Sequence, residues 1–117
     1  MLSAQVVPVC RGIMSTLYGD LRSGVSEADV QNAYKEFHSK NSFVRLYDRS
    51  APVASVHVRG TNYCNLVVDA DMRNGKLRVV SYIDNLVKGQ AGSAMQNMNL
   101  LFGLPETTGL DRPGQYP

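Results

Sequence analysis

Apolar positions change their period several times along this chain, and each change marks an element. From Val6 to Leu21 apolar and β-branched residues dominate, broken by Arg11-Gly12, which predicts one long or bent strand. A glycine inside a strand pattern marks a bulge or a close backbone approach. Val30, Ala33, Tyr34 and Phe37 then recur at helical spacing and predict an amphipathic helix over 27–39, with Gln31, Lys35 and Glu36 on its polar face. Ser26 suits the N-cap, and Glu27 and Asp29 fall in the first turn, where the helix dipole favours negative charge.

The period returns to two after this helix. Phe43 to Tyr47 predicts a short strand ending at the loop Asp48 to Pro52, and Val56 and Val58 alternate with Ser55, His57 and Arg59 as in a half-buried strand. Tyr63 to Asp69 and Leu77 to Ile83 predict two strands joined through Arg73-Asn74-Gly75, since Asn-Gly tolerates positive φ at a hairpin turn. In the second arm Leu77, Val79 and Ser81 share one face, and Arg78, Val80 and Tyr82 the other. Asp84-Asn85 ends that arm and can cap the next element. Ala91, Ala94, Met95, Met98, Leu101 and Phe102 predict a closing helix over 88–102, stopped by Gly103 and Pro105. The order β-α-β-β-β-β-α describes an α+β fold. Its sheet should be mostly antiparallel or mixed, with both helices over one face. Residues 1–104 are expected to form a single domain and 105–117 an extended tail.

Composition narrows the class. A chain of 117 residues supports one hydrophobic core, and its 44% apolar and 19% charged shares are those of an ordered globular protein. Twelve basic against ten acidic residues leave a net charge of +2 with no long run of like charge, so neither a nucleic-acid partner nor a membrane partner is expected. Cys10 and Cys64 form no CxxC and no Cys/His cluster, and are expected to be free thiols serving as small buried hydrophobes. The start of the chain shows no secretory pattern, so a cytoplasmic location is expected.

Candidate chemistry is sparse. Gly89-Gln-Ala-Gly92 opens a helix after a strand, where backbone N–H groups can hold a phosphate; it also fits close helix packing, and it is not GxGxxG. Asp69-Ala-Asp71 before Asn74-Gly75 misses calcium-loop spacing and reads as a hairpin turn. His38 and His57 lack partners at ligand or triad spacing. Arg11 and Arg59, each followed by glycine near a strand end, could hold an anionic substrate or make surface ion pairs.

The stretch Tyr82-Ile-Asp-Asn-Leu-Val-Lys-Gly-Gln-Ala-Gly-Ser-Ala-Met-Gln-Asn-Met-Asn-Leu-Leu-Phe-Gly103 resembles the closing strand and helix of N-acetyl-gamma-glutamyl-phosphate reductases. The likeness runs on through Leu104-Pro-Glu-Thr-Thr-Gly-Leu110 to Tyr116-Pro117, and Pro8-Val-Cys-Arg-Gly-Ile13 and Val58-Arg-Gly-Thr-Asn-Tyr-Cys64 resemble two more segments in the right order. Related semialdehyde dehydrogenases share a similar Asp-Asn-Leu-x-Lys-Gly element. The resemblance implies part of the C-terminal domain of a glyceraldehyde-3-phosphate-dehydrogenase-like enzyme of arginine biosynthesis. That enzyme uses NADPH and a cysteine thioester to reduce an acyl phosphate to N-acetylglutamate semialdehyde. It further implies cofactor contacts from Asn85, Lys88 and Gly89 and substrate contacts from Arg11 and Arg59.

The family's Rossmann glycine motif, its Ser-Asn-Pro-Gly-Cys-Tyr nucleophile segment and its His-x-x-Pro-Glu segment have no counterpart here. No catalytic residue and no metal ligand is therefore assigned. The chain alone is expected to be inactive and to hold NADP weakly, to self-associate, and to partner a missing N-terminal part of the reductase. The alternative is a free-standing oligomerisation or binding module.

Overall fold

The computed structural model describes residues 8–114; Val6 and Val7, where the first strand is predicted to begin, and the tail residues 115–117 lie outside the described residues. Four strands, β1 (Ile13–Asp20), β2 (Val44–Tyr47), β3 (Cys64–Asp71) and β4 (Lys76–Ile83), form one sheet in the order β1-β4-β3-β2. The pairs β1·β4 and β3·β4 are antiparallel and β2·β3 is parallel, so the sheet is mixed. β1 begins only after Gly12, whose φ of 121° is a conformation that strands do not use. A Cβ there would lie 2.8 Å from the Ser55 Cβ, so this glycine admits a close chain crossing and ends the strand pattern early.

Helix α1 (Glu27–Lys40) starts where a capping box dictates: the Asp29 N–H donates to Ser26 Oγ at 3.2 Å and the Ser26 N–H donates to Asp29 Oδ2 at 2.9 Å. Such caps contribute about 1 kcal/mol. The helix lies over β2 and β3 and puts Val30 into a core with Val68, Ala70 and Val79, flanked by Tyr34, Leu46, Leu66 and Leu77. The register places Leu66 opposite Ser81 and Val68 opposite Val79, so this face is the alternate-residue set read from the sequence. Every residue of the edge strand β1 is exposed.

The predicted strand over residues 55–59 is absent. Parallel strands need a crossover, and residues 48–63 supply it, so these residues run between β2 and β3 instead of pairing with either. Ser55–Val58 forms one 3₁₀ turn, in which the His57 N–H donates to the Ala54 carbonyl at 3.1 Å and the Arg59 N–H to the Val56 carbonyl at 3.3 Å. Alternation arose because Val58 is wholly buried while His57 is exposed, a contrast that a tight turn produces as readily as a strand.

The hairpin between β3 and β4 forms as predicted. Asp71 Oδ1 accepts from the Arg73 and Asn74 N–H groups at 3.2 Å each, and Gly75 has φ 62°. That carboxylate is a turn acceptor, and no cluster of three metal-ligating side chains occurs among the described residues. No helix among them is long and apolar enough to cross a membrane.

The closing helix divides in two. Val87–Ala91 is a π-helical turn and α2 covers Gly92–Leu101. Contrary to the expectation of two helices on one sheet face, α2 packs chiefly on its own π turn and beyond the end of the strands. Nor does the described tail run extended as predicted: Glu106–Leu110 folds back in turns, with the Asn99 side-chain amide donating to the Glu106 and Thr108 carbonyls at 3.1 and 2.9 Å. Leu110 is buried as a result.

Candidate functional site

Asp84 organises the end of the sheet from which α2 departs. Its side chain is wholly buried and accepts four hydrogen bonds. Oδ1 receives the Leu86 and Val87 N–H groups at 2.8 and 2.9 Å. Oδ2 receives the Gly60 N–H at 2.7 Å and the Arg11 guanidinium at 2.8 Å. Burial alone would raise the carboxyl's pKa, but the donors from Gly60, Val87, Arg11 and Leu86 outweigh it and hold the group below the usual carboxylate range. One ionised side chain thus ties three distant segments together, where the sequence alone predicts only a strand end and a cap.

The backbone leaving Asp84 is wound wide. The Gly89 N–H donates to the Asp84 carbonyl at 2.8 Å and the Ala91 N–H to the Leu86 carbonyl at 3.1 Å, five residues apart in each case. Such π turns cluster at functional sites. Both glycines of the Gly89-Gln-Ala-Gly92 stretch stand at close approaches. A Cβ on Gly89 would lie 3.2 Å from the Asp84 carbonyl oxygen, and one on Gly92 only 2.3 Å from Asn62 Oδ1. The close-packing reading of these residues is therefore the geometry observed.

Asn85 and Lys88 project from this turn. Asn85 is half-buried, and its Oδ1 is enclosed without a hydrogen-bond donor in the described structure. Lys88 Nζ donates to Gln96 Oε1 at 2.6 Å and stands 5.5 Å from the centre of the Phe43 ring, within cation–π range. Burial lowers its pKa, while the nearby Cys64 and Glu106 act in the opposite sense. Cys64 is half-buried beside it, and burial raises its thiol while Lys88 opposes that.

Of the residues marked in the sequence, the structure brings Arg11, Asn85, Lys88 and Gly89 to one end of the sheet around Asp84. Arg59 adjoins Gly60 in the same loop, with its Nε buried and without a hydrogen-bond partner among the described residues. Cys10 is exposed and so is not the buried hydrophobe expected of it. His38 Nδ1 lies 2.6 Å from the Val44 carbonyl, and the Ala54 N–H donates to His57 Nδ1 at 3.2 Å, so both serve local structure. Asn62, Gln96 and Glu106 lie within the stretches that carry the resemblance, but the sequence gives them no role. Asn62 Nδ2 donates to Gln96 Oε1 at 2.9 Å, and Gln96 Nε2 donates to Glu106 Oε1 at 2.5 Å. Asn62 is wholly buried and Gln96 and Glu106 are half-buried, and burial, the signal that betrays such a network, is not visible before folding.

The profile of a family described as semialdehyde dehydrogenase, dimerisation domain, matches residues 1–85. N-acetyl-gamma-glutamyl-phosphate reductase of Geobacter sp. (strain M21) is 45% identical over 112 residues, which are 96% of this chain and 32% of that protein. The corresponding protein of Bacillus mycoides (strain KBAB4) is 42% identical over 98% of this chain and 33% of its own length. The chain thus spans about a third of the length of the curated relatives it matches. Among solved structures, aspartate semialdehyde dehydrogenase II from Vibrio cholerae aligns over 83% of this chain and 29% of its own. Its TM-score is 0.65 at 19% identity, a likeness of fold.

Proposed function

We propose, from the premise that this chain belongs to the semialdehyde dehydrogenase dimerisation-domain family, that it supplies the cofactor- and substrate-facing end of an N-acetyl-gamma-glutamyl-phosphate reductase. The reaction is the NADPH-dependent reduction of an acyl phosphate to N-acetylglutamate semialdehyde in the cytoplasm. The observation that carries this reading is the Asp84 hub, which fixes Asn85 and Lys88 on a rigid π turn beside Arg11. Such rigidity suits a group that must meet a ligand in one orientation.

The residues fit the cofactor the family implies. The enclosed, unbonded Asn85 Oδ1 is an acceptor suited to a carboxamide N–H, and Lys88 suits an anionic group, while the Gly89 N–H is committed to the Asp84 carbonyl and shapes the turn that presents them. NADPH, when bound, supplies the hydride. Arg11, fixed by Asp84, and Arg59 would orient the acidic substrate. Neither Cys10 nor Cys64 is assigned the nucleophile's role: among the described residues Cys10 makes no hydrogen bond to a base, and burial raises the Cys64 thiol.

The test is NADP-dependent oxidation of N-acetylglutamate semialdehyde with phosphate. This chain alone should give no turnover. A chimaera in which it replaces the final third of the Geobacter sp. (strain M21) relative should turn over, and Asn85→Ala in that chimaera should abolish most of the activity. Turnover by the chain alone would sink the reading, because it would require a nucleophile from residues assigned none.

We also infer that the chain forms homo-oligomers. Support comes from the matched dimerisation-domain family and from exposed apolar groups, among them Tyr18 on β1 and Leu101 and Phe102 at the end of α2, each more than 70% exposed. Light scattering should report a mass above that of one chain at high concentration. A sharply monomeric profile would refute self-association.

A further inference from the structure

Lys88 is a half-buried cation that, among the described residues, has no carboxylate within salt-bridge distance. The carboxylate that acts on it, Glu106, stands one residue removed, because the Gln96 amide lies between them. Gln96 Oε1 accepts from Lys88 Nζ at 2.6 Å and from Asn62 Nδ2 at 2.9 Å, while Gln96 Nε2 donates to Glu106 Oε1 at 2.5 Å. The orientation of this amide is dictated by its neighbours. Turned over, it would set an NH₂ group against an ammonium and a second amide NH₂, and an oxygen against a carboxylate. Glu106 is held in turn by the Ser42 hydroxyl, 3.0 Å from Oε2, and by the Asn99 amide on its carbonyl. Asn62 is wholly buried and cannot swing away.

We propose that Gln96 is a positioning residue, whose amide keeps the Lys88 ammonium apart from Glu106 and so leaves it available for a phosphoryl group of the ligand. The ligand half of this statement rests on the reading under Proposed function; the separation of Lys88 from Glu106 does not. A direct Lys88–Glu106 pair would satisfy the cation internally and cost it an anionic partner. With a neutral amide between them, Lys88 stays fixed by one strong hydrogen bond and Glu106 acts on it only across the amide, without a direct pair. The phosphoryl group belongs either to the dinucleotide or to the acyl phosphate, which in the oxidative direction enters as inorganic phosphate.

The first test uses this chain as it is, and follows the Lys88 Nζ titration by heteronuclear NMR. The groups facing this nitrogen are Cys64 from β3, Glu106 from the tail and the Phe43 ring. In Gln96→Leu the ammonium is free to reach Glu106, and its pKa should rise. The double variant Gln96→Leu/Glu106→Gln should show no such rise. An unchanged or lowered Lys88 titration in Gln96→Leu overturns the proposal. Glu106→Gln alone removes the acid that orients the amide and should lower the Lys88 pKa. Since Glu106 is only half-buried, this variant keeps the proposal open to refutation should Gln96→Leu not fold: no change in it counts against the relay.

The second test measures KM for NADP and for inorganic phosphate separately in the chimaera. Gln96→Leu should raise one of the two by roughly tenfold or more with a smaller effect on kcat, naming the source of the phosphoryl group. Movement in neither KM overturns the positioning role. A parent chimaera without activity refutes the functional reading, while the NMR titration still decides whether the relay exists.

Discussion

Replacing Asp84 by asparagine should destabilise the chain by about 3–5 kcal/mol, the range for removing one partner of a buried, hydrogen-bonded charge. A domain of this size has about 5–15 kcal/mol in all, so the variant should be near the edge of folding at room temperature. The asparagine keeps the shape of the side chain and changes only its hydrogen-bonding character. Each Asp84 oxygen faces two donors, Leu86 and Val87 on one side and Gly60 and Arg11 on the other. Whichever way the amide turns, its NH₂ meets two N–H groups, and the Arg11 guanidinium loses its counter-ion. Arg11 Nε has no partner among the described residues, so none of them takes up the loss. Urea unfolding of the two proteins measures the effect. Asp20→Asn, which removes only the exposed Lys76–Asp20 pair, should leave the midpoint nearly unmoved. An equal loss in both variants would mean that the Asp84 hub is no more than a surface ion pair.

The same carboxylate sets an acid limit. Its folded pKa lies below the usual aspartate value of about 3.9, so the unfolded chain takes up the proton first as pH falls. Its stabilisation is therefore complete at neutral pH, begins to fade as pH approaches the unfolded value, and is lost as pH falls through the folded one. The stability of Asp84→Asn should accordingly vary less with pH in the acid range than that of the parent chain.

Gly92→Ala should cost about 1–3 kcal/mol, the usual penalty for overpacking an interior, with the upper end favoured here. The backbone conformation is not at issue, since Gly92 has φ −66° and an alanine adopts it freely. The obstacle is space. The new methyl would lie 2.3 Å from Asn62 Oδ1 and 2.7 Å from the Val87 carbonyl oxygen, and the second of these is main chain inside the π turn. Asn62 is wholly buried and engaged with Gln96, so α2 itself must shift, and the Asn62–Gln96–Lys88 arrangement shifts with it. Thermal unfolding should show the loss, and in the chimaera the activity should fall more than the stability does. Gly19→Ala is the contrast: a Cβ there meets nothing within 4 Å, so the midpoint should hold or rise slightly as the unfolded chain loses freedom. Equal midpoints for Gly92→Ala and Gly19→Ala would show that α2 is not tightly seated.

The Asp84 hub and the exposed apolar groups of β1 and α2 lie on the same short chain. The hub draws on segments near residues 11, 60 and 84–87, so the site's geometry is fixed by this chain's own contacts. Asn85 and Lys88 make no direct bond to a carboxylate among the described residues.

The features that the sequence determined by itself are local. Helix α1 follows from four apolar residues at helical spacing behind a Ser26–Asp29 capping box, and it spans Glu27–Lys40 against a predicted 27–39. The β3–β4 hairpin follows from Asn74-Gly75 between two alternating runs, and the core face of β4 is the set of alternate residues read from it. These features are legible because a few adjacent residues decide each one. Tertiary structure alone decided the rest. Ser55–Val58 carries a strand-like alternation and became a 3₁₀ turn, because the crossover between two parallel strands needed those residues elsewhere. The helix expected over 88–102 opened into a π turn, because the Asp84 carboxylate captured two N–H groups at its start. Asn85 and Lys88 could be marked from a resemblance, but Asn62, Gln96 and Glu106 could not. Their roles exist only once residues 34 and 10 positions apart share a desolvated space, where a polar group must find a partner or cost the fold its stability.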